Sequence, residues 1–427
     1  MGFGWSSFVA QSYMVDCVLA SGLGPGDFVT EENHLVDNAD VAVSVATDDV
    51  LHFLRASDHE LLGLSEPPLA ALDEVFAKRG VAAQSDKAFD LRTSATCLGI
   101  EVLNGTHLGP RGRRLEQLIC AGIDLLTRRV ASPLQLASML GSLHWNDLLS
   151  RPLLSCFHAV YGFTRQDDQR TAIQVPVNVL SEVLLNISLM AFWSVDLGRP
   201  WLPLIPASDA SQVFGYGLSF CKASPQVAKE GARHAAKWPH HFRLRRMPED
   251  DVEKHRAGPE LRLPYSTRDF STILSVKAAD KAHAGQLEAQ AAGLGLRRIA
   301  RVKSWHRHRV LFLVDAQAVL GAMKKGRSSA STLRRAVASV SATALAADLK
   351  VHWGYLPSES NPADKPSRGK RYVKKRRCKH TIRSGPSRED RSLNKLRSCL
   401  NRRGLLSQSS DNSGAWSIRS SSGSSWR

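Results

Sequence analysis

Val310-Leu311-Phe312-Leu313-Val314-Asp315 is five apolar residues in succession closed by an acid. A run this short reads as a strand, and an acid at a strand's end sits where active sites gather in layered α/β folds. The figure recurs on either side. Leu204-Ile205-Pro206-Ala207-Ser208-Asp209-Ala210-Ser211 runs from strand into turn at Asp209, and Gly215-Tyr216-Gly217 opens the return strand, so this stretch reads as a hairpin. Gln286-Leu287-Glu288-Ala289 sets Glu288 in a helix among apolar neighbours. Asn361-Pro362-Ala363-Asp364 puts a cap, a first-turn proline and an acid at a helix start.

Working outward, strands are expected at 202–208, 214–221, 309–315 and 350–356, and helices at 283–296 and 331–349. The charged stretch 222–276, with its Pro, His and Arg, reads as an insertion with an irregular strand or two. Residues 111–198 read as helical. Ser132-Pro133 is an N-cap and first-turn pair, and Leu136, Leu140, Leu143 and Leu148 follow on one side. A second apolar helix is expected over 179–195. Upstream, 60–79 has a broken helical pattern whose main segment starts at Pro67-Pro68, and 97–103 reads as a strand. The fold class is α+β or α/β.

Four acids delivered to one place repel one another. Two unit charges 4 Å apart cost about 4 kcal/mol at an effective dielectric near 20. Such a cluster takes up protons or spreads apart unless divalent cations sit between its members. Carboxylate oxygens suit Mg²⁺ or Mn²⁺, and two such ions about 3.5–4 Å apart activate water and stabilise the leaving oxygen of a phosphodiester.

The order of these acids and their flanking words resemble retroelement ribonuclease H. Ser208-Asp209-Ala210-Ser211 with Gly215-Tyr216-Gly217 resembles the first motif. Val314-Asp315-Ala316-Gln317-Ala318-Val319, with Lys325-Gly326-Arg327-Ser328-Ser329 after it, resembles the third, where the family has Asp-Asn or Asp-Ser. Trp353-Gly354-Tyr355-Leu356-Pro357-Ser358-Glu359-Ser360-Asn361-Pro362-Ala363-Asp364-Lys365-Pro366-Ser367-Arg368 resembles the fourth and is the most specific. Glu288 takes the second place by position. The resemblance implies a ribonuclease H-like mixed sheet with flanking helices over 199–368. It also implies hydrolysis of RNA in RNA–DNA hybrids, with two ions (Mg²⁺ or Mn²⁺) on Asp209, Glu288, Asp315 and Asp364.

The likeness extends upstream. Met1-Gly2-Phe3-Gly4-Trp5-Ser6-Ser7-Phe8-Val9-Ala10-Gln11 looks like a palm motif of reverse transcriptases. His34-Leu35-Val36-Asp37-Asn38 resembles the polymerase strand–turn motif, in the Val-Asp-Asn form of the DIRS-like, tyrosine-recombinase group. Thr47-Asp48-Asp49 is a second candidate, read more simply as a solvated cap. Cys97-Leu98-Gly99-Ile100 resembles the primer grip. Leu140-Gly141-Ser142-Leu143-His144-Trp145 and Ser150-Arg151-Pro152-Leu153-Leu154-Ser155 resemble the thumb and connection. The implied organisation is a partial palm over 1–110, truncated at its N-terminus, and a helical thumb or connection over 111–198. The ribonuclease H-like domain and a basic tail at 369–427 follow. The polymerase core is expected to be incomplete and inactive, with Asp37 and Asn38 as its remnant. Other parts of a retroelement polyprotein are possible partners.

Of a net charge of +17, the residues from Lys365 to Arg427 carry 18 Lys and Arg against 3 Asp and Glu, which leaves the body close to neutral. A strongly basic tail favours a polyanion. Its Ser, Arg and Lys leave too little apolar surface to offset ordering entropy, so 369–427 is expected to be disordered. Lys374, Lys375, Arg376 and Arg377 are expected to contact nucleic acid or to serve nuclear import. Trp305, Arg307 and Arg309 interleave cations with an aromatic, which suits phosphates and stacking, as does the stretch 237–246. The 7 cysteines include no CxxC pair, so neither a disulfide framework nor a zinc site is indicated. No apolar run of about 18 residues occurs, so no membrane partner is expected. The expected setting is intracellular, nucleus or cytoplasm undecided. Two rival readings stay open: a catalytically inactive nucleic-acid-binding remnant, and a degenerate reading frame.

Overall fold

Along Arg309–Val314 the side chains divide by parity. Val310, Phe312 and Val314 enter one hydrophobic core, while Leu311 and Leu313 enter another. A strand apolar at every position is what a sheet covered on both faces requires. The computed structural model describes residues 5–30, 41–54, 58–82, 89–236, 239–247, 256, 258–279, 282–370 and 417–422. Asp37, Asn38, Lys374, Lys375, Arg376 and Arg377 lie outside the described residues.

Five strands make the main sheet: β1 (Leu204–Ala210), β2 (Gly215–Lys222), β3 (Phe270–Lys277), β4 (Arg309–Val314) and β5 (Lys350–Tyr355). Their order is β3-β2-β1-β4-β5. The first three are antiparallel neighbours, and β1, β4 and β5 run parallel. Helices α2 (Ala284–Ala300), α3 (Gln317–Lys325) and α4 (Ser331–Ala346) cover one face, around Leu218, Phe312, Leu296, Val337 and Trp353. Helix α1 (Pro225–Ala236) covers the other, around Ile205, Ala207, Val227, Ala228 and Leu311. The short helix α5 (Asp364–Ser367) closes the domain. This is a mixed sheet with flanking helices, as expected from the sequence.

The chain divides into two compact units. One joins Gly112–Ser194 to the described residues 199–370. Its helical part consists of Gly112–Arg128, Pro133–Asp147, Ala159–Phe163 and Val177–Ser188, around Leu136, Leu140, Leu143, Val183 and Trp193. The predicted cap is a full capping box: Ser132 Oγ accepts from the Gln135 amide at 3.2 Å, and Gln135 Oε1 accepts from the Ser132 amide at 2.9 Å. Gly326, in the left-handed region at φ 70°, ends α3 where a Cβ would fall 2.0 Å from the Arg151 carbonyl oxygen.

The other unit is Met1–Arg111 with Val195–Gly198 and the strand Ser417–Ser422. Helices Ser6–Ala20 and Asp58–Arg79 accompany a sheet in which Val41–Ala46 pairs with Asp49–Leu54; Met14, Cys17, Val18, Val43, Val50, Leu72 and Phe76 share its core. Among the described residues no helix is long and apolar enough to cross a membrane.

Several expectations need correction. The stretch 222–276 is not wholly an insertion, because it supplies α1 and the edge strand β3. Residues 97–103 are not one strand but the end of the first arm, the turn and the second arm of a hairpin, Ala95–Cys97 with Ile100–Leu103. Leu98 and Gly99 both take positive φ, 51° and 77°, as a two-residue hairpin turn demands. Thr47-Asp48 is likewise a hairpin turn and not a helix cap. The helix expected to start at Pro67-Pro68 starts at Asp58. The tail expected to be disordered throughout contributes Ser417–Ser422, paired with Asp49–Leu54 and Phe89–Arg92. Backbone hydrogen bonding needs no apolar composition, which is why the sequence hid that strand.

Candidate active site

The register of the two central strands sets the site. Ala207 of β1 lies beside Leu313 of β4, so Asp209 and Asp315, each two residues further on, leave neighbouring strands at the same level. Helix α2 brings the third acid. Its sheet-facing side is small, with Ala289, Ala292 and Gly295 buried, and a Cβ on Gly295 would meet Phe312 at 2.7 Å. That closeness lowers Glu288 onto the strand ends. One carboxylate oxygen from each of Asp209, Glu288 and Asp315 lies within 4.8 Å of the others.

Asp209 is 5% exposed. Burial first, and then Asp315, push its carboxyl up to about 8. Burial, then Asp315 and Asp209, push Glu288 up to about 9, against which the Ala210 backbone amide favours the ionised form. Asp315 is raised as well, by burial. Its Oδ1 is buried without a hydrogen-bond donor among the described residues. Three converging carboxylates, one with an oxygen that has no donor among the described residues, form an acceptor set open to a further partner. An all-oxygen donor set of this kind fits a hard divalent cation.

Asp364 does not join the three. It stands at the start of α5 as expected, 29% exposed at its side chain, and Nε and Nη2 of Arg368 donate to its Oδ1 at 2.9 and 2.8 Å. Its charge still contributes to raising Asp209 and Glu288, as the smallest of the named causes. The expectation of four converged acids becomes three together and one at the rim. Arg368, four residues on along the same turn, provides the competing partner.

The same segment holds Ser367, to which the sequence assigned no role, and Asn361, which it read only as a helix cap. Ser367 Oγ hydrogen bonds to Asp209 Oδ2 and also lies 2.7 Å from the Asp364 carbonyl oxygen. Asn361, 3% exposed, donates from Nδ2 to the Ser208 carbonyl at 3.0 Å and accepts from the Ala363 amide at 3.0 Å. Their signal was present in Ser-Asn-Pro-Ala-Asp-Lys-Pro-Ser, where Asp364 was read as the functional residue and Asn361 only as a cap. Gly217 explains its own motif: a Cβ there would fall 2.3 Å from the Ala363 carbonyl oxygen and 2.5 Å from the Ser367 amide nitrogen.

Trp305, Arg307 and Arg309 lie elsewhere. Arg309 begins β4, the strand whose far end leads to Asp315, about 20 Å away for six residues at ~3.3 Å each. Trp305 ends a short turn of helix before it, and Arg307 is mostly exposed.

No protein-family model and no curated protein matches the chain. Among solved structures, a foamy viral protease–reverse transcriptase in complex with double-stranded DNA aligns at 12% identity and TM-score 0.33, over 81% of this chain and 48% of that one. A foamy viral protease–reverse transcriptase in complex with an RNA/DNA hybrid aligns at 10% identity and TM-score 0.27, over 74% and 56%. The chain thus spans about half the length of the structures it matches.

Proposed function

We propose that residues 199–368 form a ribonuclease H-type endonuclease that cuts the RNA strand of an RNA–DNA hybrid. The observation that carries this reading is the approach of Asp209, Glu288 and Asp315 to within 4.8 Å from three different elements. Like charges so placed disfavour the ionised site, and only a countercharge makes the arrangement useful at neutral pH. Asp209, Glu288 and Asp315 are the ligands for two divalent ions, Mg²⁺ or Mn²⁺, with Asp364 able to contribute from the rim. Ions bound there supply an activated water and stabilise the leaving oxygen of the phosphodiester.

The chain's own residues do the positioning. Ser367 fixes the rotation of the Asp209 carboxylate by its hydrogen bond to Oδ2. Asn361 ties the fourth-motif loop to the backbone of Ser208, which holds Asp364 beside the strand ends. Hybrid recognition uses shape, 2′-hydroxyls and phosphates and not base edges. On the same reading the N-terminal unit is a palm-like remnant of a retroelement reverse transcriptase, with Asp37 and Asn38 at the polymerase-motif position.

The test is a labelled RNA offered single-stranded, in duplex RNA and in a hybrid, with Mg²⁺, Mn²⁺ or chelator. Cleavage confined to the hybrid and abolished by chelation is expected. A hybrid that is bound and never cut would replace this reading with the binding-only one. Equal cutting of single-stranded RNA would reject it.

A further inference from the structure

The opposite end of the sheet from the acids gathers cations. Arg309 and Lys350 face each other in register at the starts of β4 and β5. The Arg309 amide donates to the Pro200 carbonyl at 2.8 Å, which draws Arg199 and Trp201 alongside. The Arg309 guanidinium lies 5.6 Å from the centroid of the Trp201 ring, and that ring packs on His352 at 4.9 Å. Arg151 arrives from the helical segment, exposed, with Nη1 donating to the Lys324 carbonyl at 3.4 Å.

Among the described residues one carboxylate, Asp348, is paired with these cations, and it is engaged to the side. Asp348 pairs with Arg199 at 2.9 Å and lies 3.8 Å from Arg307. Burial first, and then Arg151, Arg309 and Arg199, push the half-buried Lys350 ammonium down to about 8. Arg151, Arg309 and Arg199 all carry its own sign. A cation held among guanidinium groups is unfavourable alone and favourable once an oxyanion sits between them. Arginine forks match phosphate oxygens, and an adjoining ring offers a sugar or base a surface to stack on.

We infer that Arg309, Lys350, Arg199 and Arg151 form a second binding site, one that takes a backbone phosphate of nucleic acid about 20 Å from the acids by the strand rise. The choice of nucleic acid as ligand rests on the reading above, but the site and its test do not involve cleavage.

The probe is a labelled RNA–DNA hybrid binding the full chain in chelator, over a range of salt. Arg151→Ala, at an exposed side chain, and Lys350→Met are each expected to weaken binding three- to tenfold near 0.1 M salt. Each should also reduce the log–log salt slope by about one, the loss of one phosphate contact. Lys350→Arg should keep the wild-type slope. Wild-type affinity and slope in Arg151→Ala would overturn the inference even if Lys350→Met failed to fold. A protein that never cuts hybrid but loses a unit of slope on Arg151→Ala would support this site while defeating the ribonuclease reading.

Discussion

Asp209 and Asp147 are both buried acids, and their surroundings give them different meanings. Asp147 lies in the helical core, where Asn186 Nδ2 donates to its two oxygens at 3.0 and 3.1 Å and Trp193 Nε1 donates at 2.8 Å. Its needs are met by neutral donors, so it is structural. Asp209 instead faces two other acids, an arrangement that hydrogen bonds alone do not satisfy. The difference is measurable at Asp147. Burial pushes its carboxyl from 3.8 up to about 6, so the folded state holds a proton that the unfolded state has already released. Stability therefore falls as pH rises from about 4 to about 6, by about 3 kcal/mol for a shift near two units. Asp147→Asn should remove that dependence. Urea unfolding from pH 4 to 7 should show the variant gaining on wild type by about that amount. A gap that stays constant with pH would contradict it.

At the scale of elements, α5 must seat on the first hairpin for the site to exist. Ser219 Oγ donates to the Pro362 carbonyl at 3.1 Å and Ser275 Oγ to the Pro366 carbonyl at 2.8 Å, across a surface that Gly217 keeps flat. Gly217→Ala is expected to push α5 off the strands, costing about 1–3 kcal/mol of stability as an overpacking change. Cleavage should fall at least tenfold, read by thermal melting beside hybrid turnover; normal turnover would show that α5 is dispensable. The central strands were legible because Val310–Val314 is apolar throughout and Asp209 lies near the end of its own short strand. β3 was not. Ile273 and Val276 are 40% and 46% exposed on this edge strand, so its apolar residues do not mark one buried face. The register shift at Leu218/Ser219 disturbs its pairing further. Asp364 was legible as an acid at a helix start, but its distance from the other three was not. Arg368 decides that, and a helix-start motif does not say which way its carboxylate turns.

Across the whole molecule, charge and chemistry are separated. The sequence beyond Asp364 carries +15 of the +17, whereas the acids sit in a body close to neutral. Non-specific affinity should therefore follow the tail. Replacing Lys374, Lys375, Arg376 and Arg377 with Gln is expected to flatten the log–log salt slope on duplex DNA by roughly two to four. An unchanged slope would move the binding surface into the body. The role of the acids is read from cleavage of a labelled hybrid at several Mg²⁺ and Mn²⁺ concentrations, wild type beside Asp209→Asn and Asp364→Asn. Metal-dependent product is expected from wild type, less from Asp364→Asn and none from Asp209→Asn, with hybrid binding nearly intact. Equal product from wild type and Asp209→Asn, or none from either, would contradict that role.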